Sequence, residues 1–504
     1  MQKKLFILLT LFLMMASAAV AQVTTSGISG LVTSDGESVI GATVTATHQP
    51  SGTVYRAVTN VDGRYTIQGM RVGGPYKVEI SYIGNQTKVF NNVNLRLGET
   101  ENLSCSLQGD TRELQEVVVT GNAGLNATKT GAAQSLNSQQ INDMPSISHS
   151  IADVARLNPQ LATTNTGVMS FAGTNNRYNQ LLIDGAANND VFGLSSTGSN
   201  GGQAGAQPVS LETIEQIQVN VAPFDVRQSG FTGGSVNAIT KSGTNQFHGS
   251  VYGYGYNQNL MGHHYSLADG SGYAPKYNKE KDYNWGVTLG GPIIKDKLFF
   301  FANYEMNDKS YPNLYAYGSS SSQVDMDVAT DIVNKLKQIA DKQGTTYPGA
   351  FSTEDIYTKS HKAGVKLDWN INEFNKFTIR WSLVDAKQLN NGGGIRALND
   401  NLYSYPFKSV TNSWIGELQS RISPTVSNEA RVSYVRVRDK RDVGAPFPNI
   451  SVSGVGGGTL NLGNERSSMA NSLDQDIWTI EDNLTWYAGN HTFTFGTHNE
   501  IYNF

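Results

Sequence analysis

The sequence predicts a mostly β protein in three parts. These are an N-terminal β-sandwich, a smaller α+β domain, and the first part of an incomplete transmembrane antiparallel β-barrel. Three observations carry this reading. Charged residues are only 16% of the 504, while Gly (52) and Tyr (23) are plentiful; soluble domains usually carry roughly 25% charge. Beyond the first twenty residues no apolar run approaches the roughly 18 to 20 that a spanning helix requires, and mean hydropathy is −0.34. From Gln246 onward, strands of roughly ten residues alternate apolar with polar side chains, as a wall with one face on lipid and one on water must. The formal charge of −4 gives no reason to expect a nucleic-acid partner.

The N-terminus reads as a secretory signal over residues 1–21. Lys3 and Lys4 supply the positive end, Leu5 to Met15 is almost wholly apolar, and Ala19-Val20-Ala21 makes a small-x-small cleavage site before Gln22. A membrane anchor is the competing reading, and the apolar run is short for one. No Cys stands after the predicted cut to carry a lipid, and Cys105 alone can form no internal disulfide.

Residues 22–110 read as a β-sandwich. Gly30-Leu31-Val32, Ala42 to Ala46, Arg64 to Ile67 and Tyr76 to Tyr82 are short strand-like runs, parted by Asp35-Gly36, Asp62-Gly63 and Gly73-Gly74-Pro75. Gly41-Ala42-Thr43-Val44 followed by Asn60 to Tyr65 resembles the carboxypeptidase regulatory-like domain, a carbohydrate-binding-like fold without peptidase chemistry. The resemblance leaves a spacer, a docking module or a glycan binder open.

Residues 111–120 form a linker whose Glu116-Val117-Val118-Val119-Thr120 has high β propensity, suited either to adding itself to another protein's sheet edge or to ending the sandwich. Residues 121–245 follow as the α+β domain. Within Ser138 to Asn158, Ile141 and Met144 precede Pro145, and Ile151, Val154 and Ala155 share a helical face that ends before Pro159. The apolar strand Leu181-Leu182-Ile183 stops at Asp184-Gly185, a Gly/Ser/Asn tract runs from Gly193 to Gly205, and alternation from Ile217 to Val221 marks a half-buried strand.

The ordered blocks Phe171 to Gln180, with Gly173, Asn176 and Arg177, then Asp184-Gly185, then Phe231 to Gly234, with Gly233 and Gly234, then Ser235 to Asn245, with Asn237 and Thr240, resemble the plug domain of TonB-dependent outer-membrane receptors, most closely the Oar-like branch. The resemblance extends more weakly across nearly the whole chain. It implies that Glu116 to Thr120 is a TonB box and that the protein sits in the outer membrane of a Gram-negative bacterium. There it would transport an unidentified extracellular ligand using TonB and the inner-membrane energising complex.

Residues 246–504 read as partial barrel. Tyr283, Trp285, Val287 and Leu289 alternate with polar or small residues, as do Phe377, Ile379, Trp381 and Leu383. Similar patterns run through Leu298 to Tyr304, Ala363 to Trp369, Trp478 to Trp486 and Phe493 with Phe495. The connections Gly290 to Asp296 and Asn370 to Lys376 are short, whereas Asn307 to Ser360, Ala386 to Val410 and Asp439 to Asp474 are long, the asymmetry of an outer-membrane barrel. A large soluble sandwich explains the alternation but not that asymmetry. Aromatics such as Trp285, Tyr304, Trp369 and Trp486 suit interfacial girdles. About nine strands are expected where a plugged lumen takes about 22, so the sequence reads as an N-terminal piece with an open, curved sheet. Inside the first long loop, Thr330 to Gln343 has the spacing of a surface helix packed on its own loop.

No catalytic constellation stands out, so the chain does not read as an enzyme. Gly198 to Gly205 lacks the Lys-Ser/Thr of a phosphate loop, and Lys129-Thr130-Gly131 lacks companion serine motifs. His263-His264 points apart on any strand, and Asp184, Asn188, Asn189 and Asp190 match no calcium loop and favour a hydrogen-bonded turn; neither a metal nor a cofactor is expected. Gly233 and Gly234 are expected to allow tight packing against the barrel wall. Two alternatives remain. Ile80-Ser81-Tyr82-Ile83-Gly84 looks like the first domain of SusC-like glycan importers, which work with a surface lipoprotein. A non-transporting adhesion or structural protein would need neither plug nor TonB box.

Overall fold

The computed structural model describes residues 23–109, 132–146, 149–163, 168–221, 225–262, 279–489 and 491–504. The signal segment with Ala19, Ala21 and Gln22, the Glu116 to Thr120 segment, Lys129 to Gly131 and His263-His264 lie outside the described residues.

The first part is a β-sandwich of β1 (Ser26–Ser34), β2 (Glu37–Ser38), β3 (Thr43–His48), β4 (Thr53–Val58), β5 (Arg64–Met70), β6 (Gly73–Ser81), β7 (Lys88–Leu95), β8 (Thr100–Asn102) and β9 (Cys105–Leu107). One sheet runs β4-β3-β6-β7. The other is built on β1, which pairs antiparallel with β2 and β5 and parallel with β8 and β9. Alternate residues Val44 and Ala46 of β3, and Tyr76, Val78 and Ile80 of β6, face Ile28, Val32, Tyr65 and Ile67 in one buried core.

The second part holds β10 (Ala132–Asn137), α1 (Ser138–Asp143), α2 (Ile151–Ala155), β11 (Leu161–Thr163), β12 (Met169–Phe171), β13 (Gln180–Ile183), β14 (Ala186–Ala187), β15 (Ile214–Val221) and β16 (Gly234–Thr240). Its mixed sheet has the order β10-β15-β16-β13-β14, with β13 and β16 parallel. Asn137 and Gln140 form a capping box that starts α1, and the Ser150 hydroxyl caps α2. Ile141, Ile151, Val154 and Ala155 bury against Leu181, Ile183, Ile217 and Val219. The expected half-buried strand is in fact buried on both faces, because Gln216, Gln218 and Asn220 of β15 are covered as well.

The third part comprises β17 (His248–Asn257), β18 (Lys281–Ile294), β19 (Leu298–Tyr311), α3 (Met326–Lys342), β20 (Ile356–Asn370), β21 (Asn375–Asn390), β22 (Ala397–Asn399), β23 (Tyr405–Ser423), β24 (Val426–Arg441), β25 (Ile450–Val455), β26 (Gly458–Leu462), β27 (Ser472–Ala488) and β28 (His491–Asn503). Nine of the strands form one antiparallel sheet, β17-β18-β19-β20-β21-β23-β24-β27-β28. The sheet is open: among the described residues β17 and β28 each pair on one side only, so the barrel is incomplete.

Outward positions are mostly apolar and exposed, including Trp285, Val287, Leu289, Val365, Trp369, Trp414, Val432, Trp478, Ile480, Trp486 and Phe495, with Asn428 and Asp482, hydrogen-bonded to each other at 2.8 Å, as polar exceptions. Inward positions include the buried polar residues Glu305, Lys362, Lys366, Arg380, Glu417, Arg431 and Glu481. That inversion, wet side buried and dry side exposed, fits a bilayer as solvent. Outward rings meet along neighbouring strands, Trp285 with Tyr304 at 5.7 Å and Tyr434 with Trp478 at 4.6 Å toward the long loops, and Trp486 with Phe493 at 5.5 Å near the short turns.

Two expectations need correction. Most wall strands are longer than the ten or so residues that cross a bilayer; β20, β21 and β23 have 15, 16 and 19 residues. Beyond the aromatic rows they continue as a polar collar, cross-linked by outward ion pairs such as Lys281 to Asp308 at 2.5 Å and Arg438 to Asp476 at 2.8 Å. The loops are correspondingly shorter than the sequence suggests. Also, α3 does not pack on its own loop alone. Ala329, Val333 and Ala340 join Leu398, Leu402, Val455, Leu460 and Leu462 in a core shared by three long loops, over the small sheet β22-β26-β25.

Placing a charge on the outer face should be costly. Ile480→Arg, mid-strand in β27, is expected to lower unfolding free energy in phospholipid vesicles by about 2–4 kcal/mol, read by denaturant titration of Trp fluorescence. A change within experimental error would contradict the lipid-facing assignment.

Candidate functional site

The second part is seated against the inner face of the sheet, and charged side chains hold it there. At the end of β13 the chain turns through Asp184-Gly185. The Asp184 carboxylate accepts hydrogen bonds from the Thr240 N–H at 2.9 Å and the Thr240 hydroxyl at 2.7 Å. Facing it from the wall, Lys366 of β20 stands 3.5 Å away and Arg380 of β21 3.1 Å. All three side chains are nearly inaccessible, and Lys366 also donates to the Thr240 carbonyl at 3.0 Å. Burial alone would push the Asp184 carboxyl up; the Lys366 ammonium, the Arg380 guanidinium and the Thr240 hydrogen bonds outweigh it and hold the group below its ordinary value.

Gly185 is required by this contact in two ways. Its φ of +80° is a left-handed conformation, and a Cβ there would lie 2.6 Å from the Arg431 guanidinium carbon. Arg431, on β24, is 2% exposed and is surrounded by Glu417 at 2.8 Å, Glu429 at 2.6 Å and Glu481 at 2.7 Å. A further docking point lies at Ser210, whose hydroxyl meets the Tyr252 hydroxyl at 2.9 Å and bonds Glu305, itself paired with Lys362 at 2.7 Å.

The structure therefore brings together Asp184, Gly185 and Thr240 at the wall, while Asn237 donates instead to the Val23 carbonyl at 2.6 Å. The remaining sequence-predicted residues stay within the second part. Asn176 donates to the Ser196 carbonyl at 2.6 Å and Arg177 to the Gly193 carbonyl at 2.6 Å. Gly173 lies in the turn after β12. Contrary to expectation, Gly233 and Gly234 do not meet the wall: Asn179 and Thr174 crowd the first, and the Phe171 ring lies over the second. The predicted hydrogen-bonded turn at Asp184 to Asp190 is present, with Asn189 bonding the Leu181 N–H at 3.1 Å and Asp190 the Phe192 N–H at 3.1 Å. Lys366, Arg380, Glu305, Lys362 and Arg431 were not singled out from sequence. The available signal was charge at inward positions, as with Lys362 and Lys366 four residues apart in β20.

The sandwich closes the short-turn side. Arg71 pairs with Asp368 at 3.1 Å, Arg56 with Glu373 at 2.9 Å, and the Lys376 ammonium stands 4.1 Å from the centre of the Tyr55 ring. Between sandwich, second part and wall lies a cavity of ≈ 380 Å³, lined by Arg71, Asp184, Lys366, Asp368, Lys376 and Glu417 among others.

An antiparallel wall with lipid outside, charge inside and a small folded domain docked on those charges defines an outer-membrane β-barrel protein with an internal plug. The chain belongs to the outer membrane β-barrel domain family, whose model matches residues 239–350 and 316–504, and it is a protein of the Gram-negative outer membrane. A carboxypeptidase regulatory-like domain matches residues 27–108. The chain is similar to the TonB-dependent transporter Oar of Myxococcus xanthus, 32% identical over 157 residues that are 31% of this chain and 14% of that protein. Among solved structures it resembles the outer membrane transporter YddB of Escherichia coli, with TM-score 0.51 and 13% identity over 72% of this chain and 47% of that one. A mutant of the ferric enterobactin receptor PfeA from Pseudomonas aeruginosa gives TM-score 0.49 and 14% identity over 75% and 50%. The chain thus spans about half the length of these structures and a smaller share of Oar.

Removing the plug carboxylate would leave Lys366 and Arg380 buried without it. Asp184→Asn should weaken plug docking by about 3–5 kcal/mol, read as a lower urea midpoint for protease protection of the plug in membranes. Because the folded value lies below the ordinary 3.8, the Asp184 contribution is fully present above that pH and is lost as the pH falls through the depressed value. The variant should lose this acid dependence; an unchanged midpoint would contradict the docking role.

Proposed function

We propose that this protein performs TonB-dependent active transport of a substrate across the outer membrane. The observation that carries the reading is the docked plug. A rigid structural filler would be expected to bury mainly apolar surface; this domain has an apolar contact, Ala204 and Ala206 against Val384, Ala386, Tyr405 and Phe407, and otherwise meets the wall through charge pairs and hydrogen bonds that water can replace when the contact opens. Likeness to Oar, described as a TonB-dependent transporter, supports the same reading.

In this account a ligand binds from the long-loop side, where the α3 cap and the plug meet it. Glu116 to Thr120 is then presented to TonB at the periplasmic side and adds itself as a strand. Pull derived from the inner-membrane energising complex shifts the plug, breaking the Asp184 contacts and opening a path. The side of the wall with short turns, where the sandwich sits, is the periplasmic one. The sandwich then lies across the exit, so it must move or be bypassed during transport.

A peptide spanning Arg112 to Thr120 should capture the periplasmic domain of TonB, and deleting Glu116 to Thr120 should abolish that capture by the whole receptor without altering its heat stability. Retention of TonB binding after the deletion would overturn the TonB-box assignment. Failure of both peptide and receptor to bind TonB would overturn the transport reading.

A further inference from the structure

The stretch Val23 to Ser26, which ends on the first residue of β1, runs between plug and wall. Val23 is 5% exposed, and its carbonyl accepts a hydrogen bond from the Asn237 side chain of β16 at 2.6 Å. The Thr24 hydroxyl lies 2.8 and 3.0 Å from the two Glu417 carboxylate oxygens, and it accepts from Arg431 at 3.0 Å. Thr24 also lies beside Gly185, where a Cβ would stand 2.8 Å from its methyl group. The Thr25 carbonyl accepts from the Gly98 N–H at 2.9 Å, and the Ser26 hydroxyl donates to the Met70 carbonyl at 3.1 Å, tying the segment back to the sandwich.

Elsewhere the sandwich is stitched to the plug directly. The Gln216 side chain accepts from the Leu97 N–H at 2.9 Å and donates to the Leu95 carbonyl at 2.9 Å, while Gln218 donates to the Leu97 carbonyl at 2.6 Å. Val72, Leu97 and Ile239 bury together across the same junction.

We propose that Val23 to Ser26 is a force-bearing latch, held between plug and wall, that must be withdrawn before the plug can shift. The sandwich topology supplies the mechanical argument. The latch leads into the N-terminal end of β1, and the linker leaves from the C-terminal end of β9. These two strands pair parallel, with Val32 opposite Cys105 and Ser34 opposite Leu107. In a parallel pair those two points lie at opposite ends of the ladder, so a pull on the linker loads the hydrogen bonds together in shear rather than one after another. β8 adds three more parallel pairs to β1, Gly27 with Thr100 through Ser29 with Asn102. Pull on the linker therefore reaches Thr24 and Asn237 through β1, besides reaching β10 along the chain. The sandwich acts as a handle, which a mere spacer would not be.

This inference rests on the transport reading, and its test separates the two. In the whole receptor, in cells and in a Cys105→Ser background, Val23→Cys is placed in the latch and Ser235→Cys in the plug, where Ser235 is 0% exposed. Each is probed with a small charged maleimide, with and without a protonophore, in cells growing in the medium on which the receptor is required for growth. The expected result is protection of both cysteines in protonophore-treated cells and labelling of both in energised cells. Labelling of Ser235→Cys while Val23→Cys stays protected would overturn the latch and leave transport standing, as would labelling of Val23→Cys in protonophore-treated cells. Protection of both under energised conditions would overturn the transport reading itself, and the latch with it.

Discussion

Lys366 and Arg380 project from the inner face of the wall, both nearly inaccessible, and the carboxylate between them belongs to another domain, Asp184 of the plug. Much else in the structure answers to that arrangement. Without the plug the two cations, opposite one another on adjacent strands, would lose the carboxylate that both contact. With it, one carboxylate is held by Thr240 on one side and by two strands on the other. Charges taken from water repay their desolvation only when geometry and hydrogen bonding are good, so the contact specifies position as much as it stabilises. Turn residues that read as backbone punctuation thus become a docking key.

The wall itself follows from its solvent. In hydrocarbon every backbone group must pair, so the strands run long and antiparallel, and alternate side chains are left to satisfy lipid on one side and protein or water on the other. On the inner side Arg431 gathers three carboxylates and Glu305 gathers a lysine, a serine and a tyrosine. On the outer side Trp and Phe rows mark the two edges of the apolar band. Past the upper edge the same strands carry ion pairs outward and support a cap in which α3 from one loop covers β22 and β26 from two others.

Much of this was legible in the sequence. Alternation at Tyr283 to Leu289 and at Phe377 to Leu383, with short turns on one side only, was enough for an open wall of nine strands. Apolar spacing and prolines were enough for α1 and α2, though not for the caps that start them. What escaped has a common physical origin, since it depends on contacts between parts distant in the chain. Asp184 offers no local hint of Lys366 and Arg380. Gln216 and Gln218 read as the wet face of a strand, yet they are buried because the sandwich backbone at Leu95 to Leu97 satisfies them. Gly233 and Gly234 accommodate Phe171 and Asn179 inside the plug, while Gly185 is the glycine that the wall demands. The strand ends were misjudged because period-two patterning of apolar residues stops at the membrane edge, whereas backbone pairing does not.

One side of this sheet faces hydrocarbon and the other faces a docked, polar plug, and that two-sidedness is open to measurement. It is tested most directly by a spin-label scan of single cysteines from Ile477 to Trp486 in phospholipid vesicles, comparing accessibility to oxygen and to a water-soluble nickel complex. Alternation with a period of two is the expected result. Positions 478, 480, 484 and 486 should be open to oxygen in the bilayer, and positions 477, 479, 481 and 483 should be shielded from it. Uniform accessibility along the segment, or labels at 478 and 480 that report only water, would contradict it.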